Sequence, residues 1–124
     1  MEFRANNPSE MDDRLIFSRL EVEKLHHVKH YIDNNLDARL TIPLLSKQFH
    51  IGTTHLKLGF RKYFGSTVYQ YILRQRMEAA KQLLAQGQRV RQVAADTGYS
   101  LTGFSKVFKN YTGVSPIVYR NSLR

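Results

Sequence analysis

Apolar residues recur every third or fourth position along most of this chain and never alternate for long, so the pattern predicts helices and no strands. Val22, Leu25, Val28, Ile32 and Leu36 mark one face of a helix over about residues 20–36. Thr41 and Pro43 signal a new start, because proline is tolerated in a first turn, and a short helix follows through Leu44, Leu45 and Phe49. "HIGTT" (50–54) interrupts it; Leu56, Phe60 and Phe64 then define a helix that Gly65 ends. Thr67 and Gln70 have capping-box spacing and open a long helix with Val68, Ile72, Ala79 and Leu83 on one stripe, closing at Gly87.

The same pattern then returns. A short helix carries Val90, Val93 and Ala94, "TGYSLT" (97–102) turns, and another helix carries Phe104, Val107 and Phe108 to a stop at Gly113. Ser115 and Pro116 begin a last helix with Ile117, Val118 and Tyr119. Phe60, Arg61, Tyr63 and Gly65 correspond to Phe108, Lys109, Tyr111 and Gly113, each 48 residues on. Leu45 and Leu56 stand 11 apart, as do Val93 and Phe104. Two helices joined by a tight turn make a helix-turn-helix, and a second helix with outward polar and basic groups can enter the major groove of duplex DNA. The joining helix of about 17–20 residues spans about 25–30 Å, close to the roughly 34 Å between same-face grooves.

Charge sharpens the picture. The chain holds 19 Lys and Arg against 10 Asp and Glu, a net +9. Residues 57–124 carry twelve basic and two acidic side chains, while residues 1–56 are close to neutral. An excess confined to one half points to a polyanionic partner, nucleic acid first among them. The lead-in 1–19 reads as a mobile linker-like segment. Subdomains are expected at 20–65 and 88–124, with 66–87 as the connecting helix.

Other classes fare worse. No apolar run approaches the roughly 18 residues of a membrane span, and no charged start leads into an apolar signal segment. The absence of cysteine removes disulfides and thiolate metal sites and suits a reducing cytoplasm. His26 and His30 have the i,i+4 spacing that can hold zinc, but with no third ligand they read as a solvated face, with His27 beside them. His50 and His55 flank the first turn, in groove-facing or capping places. Beyond residue 20 the acids are Glu21, Glu23, Asp33, Asp37, Glu78 and Asp96, with no catalytic pair and no phosphate-cradling glycine loop. Glu78 is expected to pair with Arg74 or Lys81 along its helix. No enzyme activity, cofactor or metal is expected. Binding to RNA or to an anionic membrane is the stronger rival, but both want aromatics outside, and Phe60 and Phe108 are needed inside.

"LLSKQFHIGTTHLKLGFRKYFG", "RMEAAKQLL" and "VAADTGYSLTGFSKVFKNYTGVSPIVYR" resemble the DNA-binding domain of the AraC/XylS family of bacterial transcription regulators, over about residues 20–122. The resemblance implies an all-α fold of about seven homeodomain-like helices, with two helix-turn-helix subdomains bridged by the long one. It implies promoter binding as a transcriptional regulator, with activation through RNA polymerase. It also implies an effector or dimerisation domain missing from this chain.

Carried over by position, the base-facing residues are Thr53, Thr54, His55, Lys57 and Leu58 in the first reading helix (about 53–64), and Thr102, Gly103, Ser105 and Lys106 in the second (about 101–112). Arg61, Lys62, Lys109 and Asn110 are the phosphate-facing set. Lysine suits guanine O6 and N7, and Leu58 can only pack on a thymine methyl or on nothing. The sequence departs from the family in three places. Ser46 replaces a small alanine and is expected to bond a backbone carbonyl. Leu58 stands where a polar or basic residue is usual. From Gly98 to the aromatic the second turn is one residue short, which shifts Leu101 to Gly103 at the groove.

Overall fold

A computed structural model describes residues 16–123. Seven helices and no strand occur among them: α1 (Arg19–Asn34), α2 (Ile42–Phe49), α3 (Thr53–Phe64), α4 (Val68–Ala85), α5 (Val90–Asp96), α6 (Leu101–Thr112) and α7 (Pro116–Ser122). The all-α expectation holds. Residues 1–15 of the expected lead-in lie outside the described residues.

The chain divides into two compact units. The first runs to Asn34 and resumes over Leu40–Tyr71; the second takes Asn35–Arg39 and everything from Ile72 onward. In the first, α1 starts at Arg19, the last residue of the expected lead-in. The Ser18 N–H donates to Glu21 Oε1 and the Glu21 N–H to Ser18 Oγ, both at 3.1 Å, a reciprocal cap. The helix buries Leu25, Val28 and Ile32 with Leu45, Ile51, Leu56 and Phe60. It ends at Asn34, so Leu36 falls outside it.

Two starts match the expected caps. Thr41 Oγ1 accepts from the Leu44 N–H with Pro43 in the first turn of α2. Thr67 and Gln70 exchange bonds at 3.0 Å ahead of α4.

The second unit is built on Met77, Ala80, Leu84, Val93, Ala94, Phe104 and Phe108, all fully or almost fully buried. The stripe of α4 holds at Val68 and Ile72, both buried, and is displaced from the expected one in its second half. Ala80 and Leu84 are buried where Ala79 and Leu83 were expected, and these are only half-buried. Both pairs belong to doublets, and the two registers differ by one residue, or about 100°. Packing chooses between them.

The segment 35–39 is fastened within this unit. Arg76 Nε donates to the Leu36 carbonyl at 3.0 Å and Nη2 to the Ala38 carbonyl at 2.8 Å, and the guanidinium lies 5.3 Å from the Tyr99 ring centre. Gly98 sits at φ +86°, and a Cβ there would stand 2.7 Å from the Leu36 oxygen. The turn needs glycine for both its conformation and this close approach.

Candidate nucleic-acid interface

In the first unit the turn between α2 and α3 is tightly made. His50 takes φ +53° as the left-handed cap of α2, its N–H bonded to the Ser46 carbonyl. Its own carbonyl accepts from Lys24 Nζ at 2.7 Å. Ser46 Oγ donates to the Ile51 carbonyl at 2.5 Å, the backbone bond expected of that serine. Buried Leu45 and Leu56 pin the two helices together.

The orientation of α3 follows from what it buries: Leu56, Gly59 and Phe60. A Cβ on Gly59 would meet Phe17 Cε1 at 2.6 Å and Leu25 Cδ1 at 2.7 Å, so any larger residue there would have to push these two side chains aside. Thr53, Thr54, Lys57 and Lys62 are then exposed, while Leu58 and Arg61 are half-buried. Residues 53, 57 and 61 form one i,i+4 row and 54, 58 and 62 the next. His55 differs from these. Its Nδ1 pairs with Glu21 Oε2 and its ring packs on Phe17 at 5.1 Å, which ties the start of α3 to α1.

In the second unit α6 buries Phe104 and Phe108. Thr102, Lys106, Lys109 and Asn110 are exposed, and Gly103 and Ser105 half-buried. Ser100 Oγ accepts from the Gly103 N–H at 3.1 Å, whereas α3 begins at Gly52 with no side-chain cap. Leu101, the first residue of α6, is 41% exposed. The 48-residue offset persists in the helix ends: Gly65 N–H bonds to the Arg61 carbonyl and Gly113 N–H to the Lys109 carbonyl. Under that offset Lys57 corresponds to Ser105, Leu58 to Lys106 and Arg61 to Lys109.

Among the described residues, no carboxylate pairs with Lys57, Arg61, Lys106 or Lys109. Through these residues α3 and α6 each offer positive charge on the side away from the core, which can take phosphate oxygens and base edges.

The acids are engaged elsewhere. Glu78 pairs with Lys81 at 3.1 Å, which raises the Lys81 ammonium above its usual value, and accepts from the Tyr111 hydroxyl at 3.4 Å. Asp33 accepts from the Tyr71 hydroxyl. Glu21 is held below the ordinary carboxylate value, mainly by the Ser18 backbone N–H and further by His55, with burial working against both.

His26 stacks edge-on to Phe64 at 5.1 Å, and Asn34 Nδ2 donates to the His30 carbonyl. Among the described residues no three acids or imidazoles gather as a metal site, and no helix is long and apolar enough to cross a membrane. Sequence reasoning missed the Glu21–His55 link, Gly59 and the Arg76 clasp. All three join residues distant in the chain, and spacing carries no signal of them.

Comparison with known proteins places this geometry. The family described as "Helix-turn-helix domain" matches residues 45–122. LumQ of Photobacterium leiognathi is 32% identical over 89% of this chain, which spans only 46% of that protein. The transcriptional activator AarP of Providencia stuartii is 36% identical over 74% of this chain and 70% of its own length. Among solved structures, the DNA-binding domain of the transcription factor AdpA, in complex with a target DNA, superposes with a TM-score of 0.75 at 25% identity. That match covers 82% of this chain and 93% of that one.

Proposed function

This chain belongs to the AraC/XylS family of transcription regulators, within its DNA-binding domain, and on that premise we propose that it reads promoter DNA through α3 and α6 in successive major grooves. The observation that carries the proposal is the pair Lys57 and Arg61 on α3 and the pair Lys106 and Lys109 on α6, none with a carboxylate partner among the described residues, on two helices related by a 48-residue repeat. Thr53, Thr54, Lys57 and Leu58 would face bases from α3, with His55 at its edge beside Glu21. Thr102, Gly103, Ser105 and Lys106 would face them from α6. Arg61, Lys62, Lys109 and Asn110 would take phosphates and set register. The subdomains 20–65 and 88–124 act as two readers and 66–87 as the strut between them. The 18 residues of α4 extend about 27 Å, near the roughly 34 Å of one DNA turn.

The role is binding rather than catalysis, in the cytoplasm, and activation through RNA polymerase is the regulatory outcome. The chain spans about half of LumQ, so an effector or dimerisation domain is proposed to accompany it. Selection from a random duplex pool at fixed salt, followed by footprinting, tests the reading. The expected result is two short motifs whose centres lie about one turn apart. Protection confined to a single turn, or equal retention of all sequences, would refute it.

A further inference from the structure

Beside the first reading helix lies a pocket of about 250 Å³, wholly within the first unit. Its walls are Ile42 at the start of α2, Leu58 on α3, and Val68 and Tyr69 in the first turn of α4, with Lys57, Arg61 and Thr67 completing the lining. The wall is almost entirely carbon. Lys57 and Arg61 therefore line it through their stems, which leaves the charged ends towards water. Neither has a carboxylate partner among the described residues.

A DNA-reading face gains affinity from polar and cationic contacts, and a carbon-walled recess beside it serves no phosphate. We infer that this pocket binds a small apolar monocarboxylate, with its hydrocarbon part against Ile42, Leu58, Val68 and Tyr69 and its carboxylate paired by Lys57 and Arg61, and that the bound anion displaces DNA.

Size and charge both select this ligand class. At the roughly 30 Å³ that a water occupies in the liquid, the volume holds about eight non-hydrogen atoms, which suits one ring or a short chain. Apolar walls with a few convergent polar groups are the usual composition of a small-molecule site. A carboxylate between two cations forms charge-assisted hydrogen bonds that a neutral group cannot match. The displacement, though not the pocket itself, rests on α3 being a DNA-reading helix, because the anion would occupy the two cations assigned there to base and phosphate.

Benzoate is the probe. Titrated into the 15N-labelled chain up to about 20 mM, it is expected to give saturable amide shifts concentrated at Leu58, Val68 and Tyr69. Benzamide, of equal size but neutral, should bind about tenfold more weakly. Tyr69, 74% exposed, can be changed without touching the core, and Tyr69→Ser should weaken benzoate about tenfold while duplex binding in its absence stays at the wild-type level. Benzoate should release a selected duplex more effectively than equal chloride, and Tyr69→Ser should resist that release.

Non-saturating shifts spread over the lysine-bearing surface, or equal binding of benzamide, would overturn the pocket. Saturable shifts with the duplex retained would overturn the displacement. Failure to bind any duplex before benzoate is added would sink the DNA reading instead, and the amide titration would still decide the pocket.

Discussion

Arg76 reaches back 40 residues to donate its Nε–H to the Leu36 carbonyl at 3.0 Å, and two residues further its Nη2 finds the Ala38 carbonyl at 2.8 Å. A planar fork with donors on both edges can hold two carbonyls at once; an ammonium cannot reproduce that geometry. Arg76→Lys should therefore cost about 1–3 kcal/mol of stability, from half-buried acceptors left without donors. Denaturant unfolding checks it, and a wild-type midpoint would show that the clasp contributes nothing.

Gly98 and Gly87 share φ +86°, yet only Gly98 is crowded: a Cβ there meets the Leu36 oxygen at 2.7 Å, whereas Gly87 has nothing within 4 Å. Gly87→Ala should cost about 1–2 kcal/mol, the left-handed penalty alone. Gly98→Ala should cost that and about 1–3 kcal/mol more from the clash and the displaced Arg76 bond. Equal losses in thermal melts would mean that segment 35–39 yields freely.

The proposed interface assigns the exposed lysines different roles. Lys57→Ala and Lys106→Ala should each cost about 1–3 kcal/mol on the selected duplex and relax its base preference. Lys62→Ala and Lys109→Ala should weaken specific and random duplexes alike, each reducing the log–log salt slope by about 1. Fluorescence anisotropy across a salt series separates the two groups. A salt slope near zero for the wild type would contradict phosphate binding altogether.

The cap at Ser18 makes stability depend on acid. Glu21 has a folded pKa below its unfolded value, so its contribution is complete above the unfolded pKa and is lost as the pH falls through the folded one. Wild type should exceed Glu21→Gln in stability at neutral pH, and the gap should close as acid is added below about pH 4. A gap that stays constant from neutral pH to about pH 3 would show that the carboxylate's charge is not what holds the cap.

How much of this was legible in the chain depends on the range of each interaction. Helix number, the two turns, the Thr41 and Thr67 caps and the stops at Gly65 and Gly113 all follow from residues within a few positions of one another, where backbone sterics and local hydrogen bonds decide the outcome. The family resemblance supplied the outward positions of α3 and α6, and Thr53, Thr54, Lys57, Lys62, Thr102, Lys106, Lys109 and Asn110 are exposed there, as expected where the apolar residues of a helix define its polar face.

Tertiary contact decided the rest. Spacing could not choose between Ala79 with Leu83 and Ala80 with Leu84, since either doublet member fits the period; burial against Val93, Phe104 and Phe108 did. Nor could it show that His55 is held by Glu21, that Phe17 packs against Gly59, or that Leu36 leaves α1 to receive Arg76. Each of these depends on two segments far apart in sequence meeting at van der Waals or hydrogen-bond distance, and only the packed chain brings them there.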